Sequence, residues 1–150
     1  MSWVWGHRPP NDPALAAAAR ALASRALSEH ELEERLARKG IGGDAWAEAR
    51  EALRAAGYVD DARFAAGRAA VLAGRGSGDA LIRDDLERRG VDAEAIDAAL
   101  GTLDPETERA RAAVEREGPR ALRKLAARGF PREVLEELEA VATSRGDLVD

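Results

Sequence analysis

The chain has 150 residues, 45% of them hydrophobic but only 4% aromatic, with 34% charged, a formal net charge of −5 and no cysteine. The missing cysteines exclude disulfides, thiolate zinc sites and cysteine nucleophiles. So few aromatic residues, beside so much Ala and Leu, speak against a sandwich or barrel and for charge-laced helices with thin buried stripes. The acidic balance argues against a dedicated duplex-DNA binder, whose affinity comes largely from neutralising phosphates, and makes a protein partner the first expectation.

Met1 to Pro13 lacks the basic start and apolar run of a secretory signal, and carries Pro9-Pro10 without helical period, so it reads as a flexible leader. No stretch approaches the roughly 20 apolar residues that would cross a bilayer, and a cytoplasmic location is expected.

Asp12-Pro13 opens the first helix, with Leu15, Ala18, Ala19, Leu22 and Ala26 on one face. Ser28-Glu29-His30-Glu31 is a capping box for a second helix through Leu32 and Leu36, stopped at Lys39-Gly40. Asp44 is the expected cap of a third, through Trp46, Ala49 and Leu53 to Gly57. Asp60 caps a helix through Phe64, Ala65, Arg68 and Leu72, followed by the glycine-rich turn Gly74 to Gly78, which reads as a flexible connection with Ser77 as a cap.

A helix with Ile82 and Leu86 stops at Arg89-Gly90, and Asp92 caps the next, with Ile96 and Leu100. Asp104-Pro105 opens the last trio: a helix to Glu117, another from Pro119 through Leu122 and Leu125 to Arg128-Gly129, and a third from Pro131 through Val134, Leu135 and Leu138. From Thr143 the sequence is polar and reads as a frayed tail.

Leu36 to Ile41, Leu86 to Val91 and Leu125 to Phe130 are one motif three times, a helix stopped by glycine with an apolar residue directly after it. The glycines recur at about 50 and 40 residues, the range of helical repeat proteins. Glycine permits the positive φ that ends the helix, and the apolar residue folds back over the joint. The expected fold is therefore all-α, an elongated curved array of three tandem three-helix repeats. The repeats are expected over 13–57, 58–103 and 104–142, between a leader over 1–12 and a tail over 143–150.

No catalytic, metal or cofactor site is expected. His7 and His30 have no third ligand at helical spacing, no serine lies in a nucleophile elbow, and the Gly74 to Gly78 turn lacks the lysine-then-hydroxyl ending of a phosphate loop. Asp60-Asp61 and Asp84-Asp85 read as helix caps and first-turn or surface carboxylates.

Basic residues gather on the middle helix of each repeat: Arg35, Arg38 and Lys39; Arg83, Arg88 and Arg89; Arg123, Lys124 and Arg128. Cations favour helix C-termini by roughly 0.3–1 kcal/mol, which accounts for one or two per helix. Three in each repeat would form a ladder along one edge, suited to carboxylates or phosphates.

The string from Ser28 to Gly40 resembles the opening signature of the RecX regulators, Ser-x-x-Glu-Leu-x-x-x-Leu-x-x-Lys-Gly. Gly57-Tyr58-Val59-Asp60-Asp61-Ala62-Arg63-Phe64-Ala65 is similar to that family's Gly-Tyr-Leu-Asp-Asp-x-x-Phe-Ala segment, and Arg128-Gly129-Phe130 to its late Arg-Gly-Phe element. The likeness covers residues 14–142. It implies a non-enzymatic crescent of three-helix repeats that lies in the groove of the RecA nucleoprotein filament, suppresses strand exchange and ATP turnover, and damps recombination and the SOS response.

Within the signature Asp60 would cap its helix, Tyr58 would plug the joint between repeats and Phe64 would be core. The expected contact surface is the ladder plus Arg63, Arg68 and Arg75. A monomer is expected, with weak single- or double-stranded DNA contact as a secondary property. The alternatives are a helix-turn-helix-like DNA-binding regulator and a helical interaction scaffold.

Overall fold

A computed structural model describes residues 12–146, so the leader with Trp3, Trp5 and His7 and the tail from residue 147 lie outside the described residues. The described residues form nine helices and no strand. They are α1 (Pro13–Ser24), α2 (Glu29–Ala37), α3 (Gly43–Ala55), α4 (Asp61–Gly74), α5 (Asp79–Arg88), α6 (Ala93–Gly101), α7 (Glu106–Glu117), α8 (Ala121–Ala127) and α9 (Arg132–Arg145).

The helices pack in trios, each around its own small core. Leu15, Leu32, Leu36, Trp46 and Leu53 fill the first, closed by Leu27 and Val59 from the connecting segments. Ile82, Leu86, Val91 and Ile96 pack on Ala65, Ala69 and Ala99 in the second, where small residues let α4 lie along α6. Ala110, Ala113, Leu122, Leu125, Phe130 and Leu138 make the third.

The repeated motif has one geometry throughout. The amides of Ile41, Val91 and Phe130 donate to the carbonyls of Leu36, Leu86 and Leu125 at 2.9, 3.1 and 3.2 Å. The intervening glycine amides donate to Ala37, Glu87 and Ala126. That pair of bonds is the Schellman closure, and it turns the following apolar residue back onto the helix it ends. Leu36, Leu86 and Leu125 are at most 1% exposed, and burying each contributes roughly 1.5–3 kcal/mol.

Asp12, Ser28, Asp60 and Asp92 cap their helices as the sequence predicts, Ser28 and Glu31 completing the capping box. Other assignments need correction. Helix α3 starts from Gly42, leaving Asp44 in the first turn without a capping bond. Asp104-Pro105 does open the last trio, with Pro105 at the start of α7, where its carbonyl accepts from Arg109. Gly78, not Ser77, precedes α5, and the Ser77 amide instead closes α4 on the Leu72 carbonyl. Helix α1 ends at Ser24, so Ala26 is exposed and Leu27 enters the core in its place. Helix α9 continues through Thr143 to Arg145 and stops at the left-handed Gly146.

Candidate protein-interaction surface

The middle helices α2, α5 and α8 stand end to end, the C-terminus of α5 against the N-terminus of α2 and the C-terminus of α8 against the N-terminus of α5. At the first joint the Ser28 hydroxyl, at the start of α2, donates to the Arg89 carbonyl at the end of α5, 2.5 Å away. At the second the Gly78 amide, at the start of α5, donates to the Arg128 carbonyl at the end of α8 at 2.7 Å. Each bond satisfies a carbonyl that the end of a helix would otherwise leave without a partner. The negative end of one helix dipole also meets the positive end of the next.

Approach at these joints is close enough to require glycine. A Cβ on Gly90 would run into the ring and Cβ of His30, and one on Gly78 would meet the Gly129 carbonyl carbon at 2.6 Å. The Gly74 to Gly78 turn, expected as a flexible connection, is therefore a packed joint.

Ion pairs lock the first joint. Arg89 bonds Glu31 at 3.0 Å across it and Asp85 at 2.9 Å within α5. Arg68 of α4 grips Asp85 with two nitrogens at 3.0 and 3.1 Å. Asp85 is held below the ordinary carboxylate range by the Arg68 hydrogen bond first and Arg89 second, against the opposing effect of burial. Asp61 accepts from the Glu29 amide at 2.9 Å, yet burial raises its pKa.

At the second joint Arg109 of α7 donates to the carbonyls of Ser77 and Asp104 at 2.9 Å, pairs with Asp79, and lies 5.7 Å from the Phe130 ring centre. Glu106, close to Asp79, has its pKa pushed up to about 7 by burial and by the neighbouring carboxylate. Sequence reasoning missed Arg109. It is a single arginine inside a polar helix, and only the packing of α7 against the α4–α5 turn gives it partners.

The structure divides the basic residues of the expected contact surface into two groups. Arg68, Arg89 and Arg128 belong to or flank the joints, Arg128 sitting 3.8 Å from Glu117. Arg83 pairs with Asp97 at 2.6 Å, Arg88 with Asp84 at 2.5 Å, and Lys124 lies 3.8 Å from Glu117. Arg63 donates to the Gly57 carbonyl. Arg35, Arg38, Lys39, Arg75 and Arg123 make no ion pair or side-chain hydrogen bond among the described residues, and all but half-buried Arg35 are exposed.

Tyr58 is corrected as well. It is 53% exposed, and the buried residue at that turn is Val59. Tyr58 lines a groove of about 660 Å³ between the first and second repeats, beside Phe64, which is half-buried against the second core.

Residues 60–100 match the family model described as the second three-helix domain of RecX. The protein named Regulatory protein RecX from Xanthomonas oryzae pv. oryzae strain PXO99A is 38% identical over 136 residues, covering 86% of this chain and 84% of that one. Its namesake from Mycolicibacterium smegmatis is 38% identical over 95 residues, covering 62% of this chain and 50% of that one. Among solved structures, RecX from Lactobacillus salivarius superposes with a TM-score of 0.72 at 18% identity, covering 85% of this chain and 93% of the other. A second crystal structure of regulatory protein RecX gives 0.73 at 20% identity, covering 85% and 72%.

Proposed function

Because the chain belongs to the RecX family of regulatory proteins, we propose that it binds the RecA nucleoprotein filament and restrains it, in the cytoplasm and without catalysing a reaction itself. The observation that carries this reading beyond the family name is the set of cations that the fold leaves unpaired. Arg38 and Lys39 stand at the end of α2, Arg75 on the turn after α4, and Arg123 on α8, each exposed and free of carboxylates among the described residues. An exposed arginine costs little to leave alone in water and gains a planar, two-pronged bond when a carboxylate or phosphate arrives.

The mechanism is occupancy. A chain of trios linked through stacked middle helices presents cations on all three repeats, so it can touch neighbouring protomers of a polymer at once. Several weak contacts on one rigid body add through effective concentration. Bridged protomers resist the rearrangement that strand exchange and hydrolysis require.

The test is a titration of the purified protein into the cognate RecA with single-stranded DNA and ATP. Hydrolysis is expected to fall as the protein is added. Unchanged hydrolysis, together with salt-sensitive binding to duplex DNA without RecA, would replace this reading with direct DNA binding.

A further inference from the structure

The groove between the first and second repeats has a chemistry that the ion pairs of the joint do not explain. Its apolar wall includes Leu22, Phe64 and Val71, with Tyr58 at the edge. Val71 is 47% exposed, one of the large apolar side chains that the described residues leave uncovered.

Gly67 lies in the same lining, inside α4. Glycine in a helix interior costs roughly 1 kcal/mol relative to alanine. Nothing among the described residues calls for it. A Cβ at Gly67 would meet no atom within 4 Å, whereas at Gly78 and Gly90 it would collide with the neighbouring repeat. Its φ is also not in the left-handed region. The space beside Gly67 is not filled by any described residue.

The rim is basic in a chain whose net charge is −5. Arg25, Arg63, Arg68 and Arg89 line the groove with Asp60 as the one carboxylate among its lining residues. Arg68 and Arg89 are committed to Asp85 and Glu31. Among the described residues Arg63 bonds only the Gly57 carbonyl, and Arg25 is 55% exposed and reaches Glu31 at 3.5 Å. Each of these two guanidinium groups therefore uses one nitrogen and keeps further N–H donors above an apolar wall.

We propose that this groove is a docking site for an acidic segment of another protein. A leucine or phenylalanine of that segment enters beside Gly67, between Phe64 and Val71, while its carboxylates reach Arg25 and Arg63. The volume falls within the roughly 300–1,000 Å³ of ordinary binding clefts. A nucleic acid fits less well, because it would bring successive phosphates past these two cations and the Asp60 carboxylate, along a wall that offers aliphatic contact. The inference rests on the RecX reading only for where such a segment comes from.

The experiment measures fluorescence anisotropy of the whole protein with a pool of labelled peptides built only from Leu, Phe, Asp and Glu. A matched pool carries Lys and Arg in place of the acids, and a single-stranded oligonucleotide serves as competitor. The acidic pool is expected to bind and the basic pool not. Gly67→Leu, which fills the groove with a better helix former, and Arg63→Glu, at an exposed position, are each expected to weaken binding tenfold or more. Both should keep the wild-type circular dichroism, and should Gly67→Leu disturb α4, Arg63→Glu answers alone.

Equal binding of both pools, wild-type affinity in folded Arg63→Glu, or displacement of the peptide by tighter-binding oligonucleotide would overturn the proposal. The RecA titration separates the two readings. A protein that inhibits RecA but ignores the acidic pool loses only the groove, and one that takes the pool but leaves RecA unaffected loses only the RecA reading.

Discussion

The hydroxyl of Ser28 donates to the Arg89 carbonyl at 2.5 Å while its oxygen accepts from the Glu31 amide at 3.1 Å. One residue thus starts α2 and completes the end of α5, 61 positions away in the chain. Losing an N-cap costs about 1 kcal/mol, and losing the partner of a buried carbonyl about as much again. Ser28→Ala is therefore expected to lower unfolding stability by about 2 kcal/mol in urea titration. A loss no larger than a cap alone would show that the joint closes without this bond.

Gly40 and Gly90 share φ +79 but not their surroundings. At Gly40 a Cβ meets nothing within 4 Å, so Gly40→Ala carries only the left-handed backbone penalty, about 1–2 kcal/mol. At Gly90 the same Cβ runs into His30, and Gly90→Ala is expected to cost clearly more and to loosen the contact between repeats. Denaturant midpoints of the two variants decide it. Equal losses would mean that the repeats are not pressed together at this point.

Glu106 gives the fold a pH dependence with a definite sign. Its folded pKa of about 7 lies above the ordinary value of 4.5, so the native state prefers the protonated acid. The stabilising contribution is complete below about 4.5 and is lost as pH rises toward 7. Glu106→Gln is neutral at every pH and should gain in Tm over wild type between pH 5 and about 8, with the difference vanishing near pH 4. The groups facing Glu106 are Asp79, whose charge opposes ionisation, and Arg109, whose charge favours it. A Tm difference that does not change with pH would place the titration elsewhere. Asp85 acts in another window, its depressed pKa withdrawing stability only as pH falls below the ordinary carboxylate range.

The basic residues separate into contact and structure. Charge reversal at Arg38, Lys39, Arg75 and Arg123 together is expected to weaken inhibition of RecA ATP hydrolysis while leaving the thermal transition intact. Arg89→Glu should behave oppositely, because it places a third carboxylate beside Glu31 and Asp85 and lowers Tm directly. Inhibition by the quadruple variant at wild-type strength would assign the exposed cations to solubility alone.

Local chemistry was readable in the sequence wherever it acts over one helical turn. The Ser28–Glu31 capping box, the Asp60 and Asp92 caps and the stops at Gly40, Gly90 and Gly129 involve partners within five residues, and each stands where the residues place it. Asp44 and Ser77 show the limit of that reasoning, since an acceptor near a helix start caps only when the start falls directly after it. The candidate contact residues were legible as cations but not as free cations. Whether an arginine such as Arg89 faces solvent or Glu31 depends on which repeat stacks on which helix end, and no periodicity encodes that.

The end-to-end order of α8, α5 and α2 gives the molecule a compass bearing. The two ends of this row among the described residues are chemically unlike, one finishing in the Arg38-Lys39 turn and the other in the Gly118-Pro119 entry to α8. A body with a front and a back, laid on any track that itself has a direction, matches in one heading and mismatches in the reverse.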